Sequence, residues 1–478
     1  MAAGITSGTE GGSTVSGSPV SLNRVSRSTV SLSTVSPSTA PSSRPHRAGR
    51  YAALAVLAAS GLILAGCGAA KPDASQLNPQ AVSGASSAGA SSTPVTDLQI
   101  SPAPGTAQAA TAAGITVTAT HGAKIAKVAV STAGDPVSGS MSGSGSSWHS
   151  TWALDTDRSY TVTATGTDSG GHPITSTSSF HTMTPGQSFS TEVFEGSGAT
   201  YGVGMPIMLN FTAPITNKAA VERSLQLTTS KPVVGAWYWD GSEAVDFRPQ
   251  GYWPPNTSVT LTAHLNGVDG GNGRYGTHTL TQSFNIGQSV IAVASTTTHQ
   301  TQVYVGGQLK YTWPISTGRA NMPTPDGTYL TVQKGNPVRM IGGTKGKPGY
   351  YNELVNWAVR FTFSGDYYHS APWSVVDQGT TNVSHGCVNL PPNDAETYYN
   401  LAIPGDPITI TGSPKAGNWD DGWTEWFLSW SQYLKGSATG MAVEAGPQGS
   451  ELVPPSSVAA STAGSPLGTS VAGNYMAS

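Results

Sequence analysis

The chain has 478 residues, of which only 10% are charged, with 23 Lys and Arg against 26 Asp and Glu and a formal net charge of -3. That length allows two to four domains, and the scattered cations form no basic stripe able to neutralise a phosphate backbone, so nucleic acid is set aside as a partner. Plentiful Gly (58) and Pro (33), few helix-forming runs and recurrent Val-Thr alternation predict a mostly β protein.

Residues 1–67 read as an N-terminal extension and an export signal. Arg44, His46, Arg47 and Arg50 precede an apolar run from Tyr51 to Leu64, the basic and apolar regions of a secretory signal. The run is too short for a spanning helix, which needs roughly 20 apolar residues. It ends in Leu64-Ala65-Gly66-Cys67, which resembles the lipobox of bacterial lipoproteins. That resemblance makes Cys67 an acylated N-terminus, a lipid anchor holding the chain to the outer face of the cytoplasmic membrane, facing the cell wall, with about 0.8 kcal/mol per buried methylene. The plainer reading is an ordinary cleavage site followed by a cysteine. The Ser-, Thr- and Pro-rich stretch before Arg44 exceeds a normal signal, which an incorrectly assigned start codon would explain.

Residues 68–96 are Ala, Ser, Gly and Pro with almost no large apolar side chain, and are expected to form a disordered linker. Residues 97–184 hold short alternating segments around Ile115, Lys127 and Tyr160, suited to an immunoglobulin-like β-sandwich with Trp148 and Trp152 as its large core side chains. A second such sandwich is expected over residues 185–286. Its cluster Trp237, Trp239, Phe247, Tyr252 and Trp253 suits core packing better than a carbohydrate-binding face. Residues 287–412 stay β-rich, with candidate strands at Val290, Gln302, Lys310, Gly327, Trp357 and Pro407. Trp419, Trp423, Trp426 and Trp430 then fall at helical spacing, predicting one apolar face on a short helix over residues 413–437. Residues 438–478 return to small polar residues and are expected to be a disordered tail.

Only Cys67 and Cys387 occur as cysteines. A disulfide between them is the simplest pairing in an exported chain, but their contexts argue against it. Cys387 lies in Ser384-His385-Gly386-Cys387-Val388-Asn389, where Gly386 permits close approach and nearby N–H groups could meet an oxyanion. His369 and His385 both offer an imidazole to take the thiol proton, giving a thiolate and imidazolium pair. A metal site built from His369, His385 and Cys387 lacks a fourth ligand and any metal-binding spacing.

His369-Ser-Ala-Pro-Trp373 followed by Ser384-His-Gly-Cys-Val-Asn389 resembles the signature of the L,D-transpeptidase catalytic domain. Pro323-Thr-Pro-Asp-Gly-Thr-Tyr329 matches another segment of that family, and paired immunoglobulin-like domains are typical of its actinobacterial branch. The resemblance makes Cys387 the nucleophile, His369 its base, the Ser384 carbonyl the group orienting the imidazole, and His385 and Gly386 shapers of the site. It also places Tyr351, Ser364, Gly365, Asn389, Met340 and Trp373 around the substrate, with Gly342 to Tyr350 as a lid. The implied reaction needs no cofactor or metal. Cys387 attacks a donor tetrapeptide stem of peptidoglycan, D-alanine leaves, and an acceptor stem's amine resolves the thioester into a 3-3 cross-link. β-Lactams of the carbapenem type are the implied covalent inhibitors. The competing readings are an L,D-carboxypeptidase that hydrolyses the thioester and a non-enzymatic wall-binding lipoprotein.

Overall fold

The computed structural model describes residues 96–347 and 350–458. The signal, Cys67 and all but the last residue of the linker lie outside them. The described chain is built largely of strands, grouped into two sandwiches and a third β-rich domain.

The first sandwich pairs Leu98–Ser101, Thr116–Ala119, Ser147–Ser150 and Gly139–Met141 in one sheet and Lys124–Thr132, Ser159–Thr167 and Pro173–His181 in the other. Strict alternation drives it: Tyr160, Val162 and Ala164 are buried along one strand while the residues between them face outward. Trp148 joins that core. Trp152 does not, contrary to expectation, because the strand ends at Ser150 and its parity is lost. Its ring instead stacks on His264 of the second sandwich, centroids 4.0 Å apart.

The second sandwich encloses Trp237, Trp239, Phe247 and Trp253 as core side chains. Tyr252 sits at the edge of this core, its ring 4.4 Å from Trp426. One sheet carries Val233–Asp240, Ala244–Pro249, Ile207–Phe211 and Thr191–Val193. It is extended by two strands that the tail was not expected to contain. Ala442–Gly446 pairs antiparallel with Val233–Gly235, and Gly449–Val453 pairs with it in turn. The expectation of a disordered tail from residue 438 therefore fails over this hairpin. An open sheet edge supplies unpaired N–H and C=O groups, and two small apolar side chains, Val443 and Ala445, suffice to complete the core face. Glu222 locks the approach to the hairpin, accepting from Trp239 Nε1 (2.8 Å), Ser437 Oγ (2.9 Å), Ala438 N (2.6 Å) and Thr439 N (2.9 Å).

In the third domain a five-stranded sheet, ordered Gln308–Pro314, Gln300–Val305, Val290–Ser295, Pro407–Thr411 and Gly327–Leu330, packs against a four-stranded one. The latter runs Gln333–Gly335, Ala358–Arg360, Tyr367–Ser370 and Val388–Leu390. Ala292, Val303, Tyr329, Val359, Tyr368 and Val388 fill the space between, closed by Ala395 and Tyr398 of the helix Pro392–Leu401. A separate hairpin, Val338–Gly342 with Tyr351–Val355, projects over the open face.

The four C-terminal tryptophans do not share one helix face. Gly422, at φ +139°, interrupts the run, and the only α-helix there is Trp430–Leu434. The rings fan out instead across the junction of the second sandwich and the third domain. Trp423 is buried with Met205, Met208 and Leu330, and Trp426 Nε1 donates to Gly204 O at 2.7 Å. The buried Arg248 guanidinium lies 4.4 Å from the Trp426 and Tyr433 rings and 6.0 Å from that of Trp430.

Candidate active site

The parallel pairing of Tyr367–Ser370 with Val388–Leu390 sets Tyr368 opposite Val388 and His369 opposite Asn389. Tyr368 and Val388 point into the core. Strand alternation therefore sends Tyr367, His369 and Cys387 to the opposite face, away from the core and beneath the hairpin. Two motifs separated in sequence become adjacent by sheet register.

Cys387 is the free thiol of the described residues and is partly exposed. Its side chain packs against the cluster of Met340, Val355, Ala358 and Tyr367, with Tyr351 beside it. Burial, and then the charge of Asp366, push the thiol far above its ordinary value, while the Tyr367 N–H opposes them. His369 is buried, and burial pushes its imidazole down to about 4. A resting thiolate–imidazolium pair, the expectation from sequence, is thus disfavoured on both sides. Burial favours the neutral form of each side chain.

The group orienting that imidazole also differs from expectation. His369 Nδ1 lies 2.9 Å from the carbonyl of Ser370, its own chain neighbour, which leaves Nε2 as the ring nitrogen able to accept a proton. The Ser384 carbonyl is engaged elsewhere, by the Arg319 N–H at 3.0 Å, because the segment around Gly318 bridges to Ser384. Ser384 shapes the nucleophile loop by other bonds: its Oγ donates to Cys387 O at 2.6 Å and accepts from Gly386 N at 3.1 Å. The Gly386 amide, expected at the oxyanion site, is spent on that turn. Gly386 sits at φ +134°, and its carbonyl accepts from Thr324 Oγ1 at 2.6 Å. Thr324 belongs to the Pro323–Tyr329 segment, which thereby buttresses the loop.

Tyr351 packs on His385 with ring centroids 4.7 Å apart. Burial, followed by the charges of Cys387 and Asp366, pushes its hydroxyl up to about 12, so the phenol remains an O–H donor beside the thiol. His385 is itself exposed, its imidazole lowered by burial of the ring and by Arg319. Met340, on the first strand of the hairpin, is buried in the cluster against which Tyr351 and Cys387 pack. Asn389 is buried, donating to Ser374 Oγ at 3.0 Å and so bracing the turn after His369. Trp373 lies on that turn, 57% exposed, with its ring centroid 6.0 Å from that of His369.

Ser364 and Gly365 form the opposite wall. Both Ser364 N and Ser364 Oγ donate to the carboxylate of Asp421, at 2.5 and 2.6 Å. The C-terminal segment therefore reaches back to set this loop. Sequence reading missed Asp366, Asp421, Ser370 and Thr324. Thr324 and Ser370 carried a signal, their places in the matched Thr-Pro and His-Ser-Ala-Pro segments; Asp366 and Asp421 stand where turns or neighbours would be read.

Residues 289–410 match the family model for the L,D-transpeptidase catalytic domain, and residues 106–269 that for a bacterial Ig domain. L,D-transpeptidase 2 of Mycobacterium tuberculosis (strain CDC 1551 / Oshkosh) is 35% identical over 331 residues, covering 68% of this chain and 80% of the relative. L,D-transpeptidase 5 of Mycobacterium tuberculosis (strain ATCC 25618 / H37Rv) is 32% identical over 315 residues, 64% of this chain and 69% of the relative. A crystal structure of L,D-transpeptidase 3 from Mycobacterium tuberculosis with a faropenem-derived adduct superposes with a TM-score of 0.39 at 32% identity, over 46% of this chain and 97% of that one. The catalytic-domain match and these relatives define an acyltransferase, here a mostly β chain with an Ig region before the catalytic domain. The chain belongs to the L,D-transpeptidase family.

Proposed function

We propose that this enzyme forms 3-3 cross-links in peptidoglycan through a thioester on Cys387. The observation that carries the reading is the shared face of Cys387 and His369, with Nδ1 of the imidazole tied to Ser370 O. As the thiol attacks the carbonyl between residues three and four of a tetrapeptide stem, its proton passes to His369 Nε2. The tetrahedral oxyanion is met by the Tyr351 hydroxyl and the Cys387 amide, and D-alanine leaves with the proton returned by the imidazole. An acceptor stem's side-chain amine then displaces the thiol. Incubating the chain with a disaccharide tetrapeptide and reading products by mass tests this. A cross-linked dimer supports it, and free tripeptide alone would make the enzyme a carboxypeptidase.

The neutral imidazole has a pH signature. Because the imidazole's value is depressed, its basic form persists as pH falls and is lost only through about 4. Acylation at pH 5.5 should therefore keep at least half of its rate at pH 7; a base of ordinary value near 6.5 would retain about a tenth. Stopped-flow or mass-resolved acylation rates across that range decide it.

The site of action is proposed to be extracytoplasmic, at the outer face of the membrane, with Cys67 as the lipid anchor. The Leu64-Ala65-Gly66-Cys67 sequence supports this. A Cys67→Ala chain is expected to leave the membrane fraction while keeping its acylation rate. Continued pelleting with membranes would remove the lipobox from the account.

A further inference from the structure

Asp366 has no part in the reaction as written above. It follows Gly365 and directly precedes the strand Tyr367–Ser370, and a Cβ built on Gly386 would lie 2.3 Å from its Oδ1. Its carboxyl thus rests against the residue preceding the nucleophile, and its charge acts on both the Cys387 thiol and the Tyr351 hydroxyl. The position is held from the backbone, since Asp366 N donates to Thr362 Oγ1 at 2.7 Å.

Around this carboxyl the Thr362 hydroxyl supplies a hydrogen bond that favours its charged form, but among the described residues no cation pairs with it directly. Arg360 acts on it only at range, its guanidinium being committed to the carbonyls of Thr362 (2.9 Å) and Phe363 (2.5 Å). Lys415 also acts at range, Asp421 opposes ionisation, and among the described residues no cation forms an ion pair with Asp366. Burial first, then Asp421, push the carboxyl up to about 7. A purely structural role here would be served as well by the uncharged amide of asparagine.

We propose that Asp366 receives the acceptor in the second half-reaction: its carboxylate binds the side-chain ammonium of the acceptor stem and removes one proton before attack. This rests on the transpeptidase reading given above. An ammonium has no lone pair, so a base must act first. The carboxylate takes H⁺ and becomes a carboxylic acid, and the neutral amine forms the new C–N bond to the thioester carbonyl. The C–S bond breaks with its electron pair passing to sulfur, a second N–H proton reaches that sulfur through His369, and the Asp366 proton returns to water. His369, held near 4, is the weaker base of the two. Water as acceptor needs no such deprotonation, so Asp366 governs the partition between cross-linking and hydrolysis.

The sign with pH follows. Asp366 ionises as pH rises through about 7, so the ratio of dimer to tripeptide should rise across that range in the wild type. With the full chain and a disaccharide tetrapeptide at pH 7.5, Asp366→Asn is expected to lower that ratio at least tenfold, flatten its pH dependence and let acyl-enzyme accumulate. Hydroxylamine, already neutral at this pH, should resolve the acyl-enzymes of wild type and variant within twofold of each other. Folding is monitored separately: a raised carboxyl withdraws stability as pH rises through its folded value, so the variant's Tm should exceed wild type at pH 8 and match it at pH 4. An unchanged product ratio in the variant, or an equal loss with hydroxylamine, overturns the proposal. Absence of any dimer from the wild type instead overturns the transpeptidase reading itself, and this inference with it.

Discussion

Cys387→Ala should lower acyl transfer by at least about 10⁴-fold, because removing a nucleophile from a two-step mechanism leaves only substrate binding and oxyanion stabilisation. The fold should survive: the thiol is only partly buried, so its loss should cost no more than about 1 kcal/mol. A β-lactam offers the sharpest readout. Its strained amide presents a carbonyl to the same thiol, and no amine is delivered to release the thioester, so a carbapenem should acylate Cys387 stoichiometrically. Intact-mass spectrometry with meropenem on wild type and Cys387→Ala measures this directly. An equal adduct on the alanine variant, or none on reduced wild type, would remove Cys387 from the mechanism. His369→Ala should abolish acylation as well. Its ring is buried and bonded to Ser370, so its thermal midpoint must be compared alongside. His385 is exposed, and replacing it by Ala should leave the midpoint nearly unchanged.

Truncation after Thr411 should cost more stability than any single substitution. It removes Trp423, Trp426 and Tyr433, the hairpin from Ala442, and Phe427, whose ring stacks edge-on against Tyr329 at 5.0 Å. Each large aromatic contributes about 1.5–3 kcal/mol when buried, against a typical total of about 5–15 kcal/mol. Arg248 is left in addition as a buried cation without its aromatic cage or its bond to Leu428 O at 2.9 Å. The expected loss is on the order of 10 °C or more in the midpoint of the catalytic domain. It should be accompanied by weaker substrate use, because Asp421 no longer holds Ser364. Glu222→Ala removes the bonds to the tail together with that from Trp239 Nε1 and should cost about 2–3 kcal/mol, the value of charge-assisted bonds lost in a buried site. An unchanged midpoint after truncation would mean that the C-terminal segment is an independent appendage.

What could be read from the sequence was local. Alternation with period two marks strands wherever one face is buried, as along Ser159–Thr167, and Cys387 and His369 announce themselves because a free thiol beside Gly386 with an imidazole upstream is a chemical pattern carried by neighbouring residues. The four tryptophans were equally visible as apolar, but their spacing suggested one helix, and Gly422 breaks it. What the tertiary structure decided depends on register between distant segments. Ser370 O orients the imidazole because the chain turns there, while the Ser384 carbonyl is taken by Arg319. Asp421 reaches Ser364 across the domain surface, and the tail pairs with Val233–Gly235 because that edge stood open. Asp366 is the clearest case: in sequence it is a turn residue after a glycine, and only the fold brings its carboxyl against Gly386, the residue before the nucleophile. Hydrogen bonds and charges act through space over a few ångströms, whereas sequence patterns report only what lies along the chain.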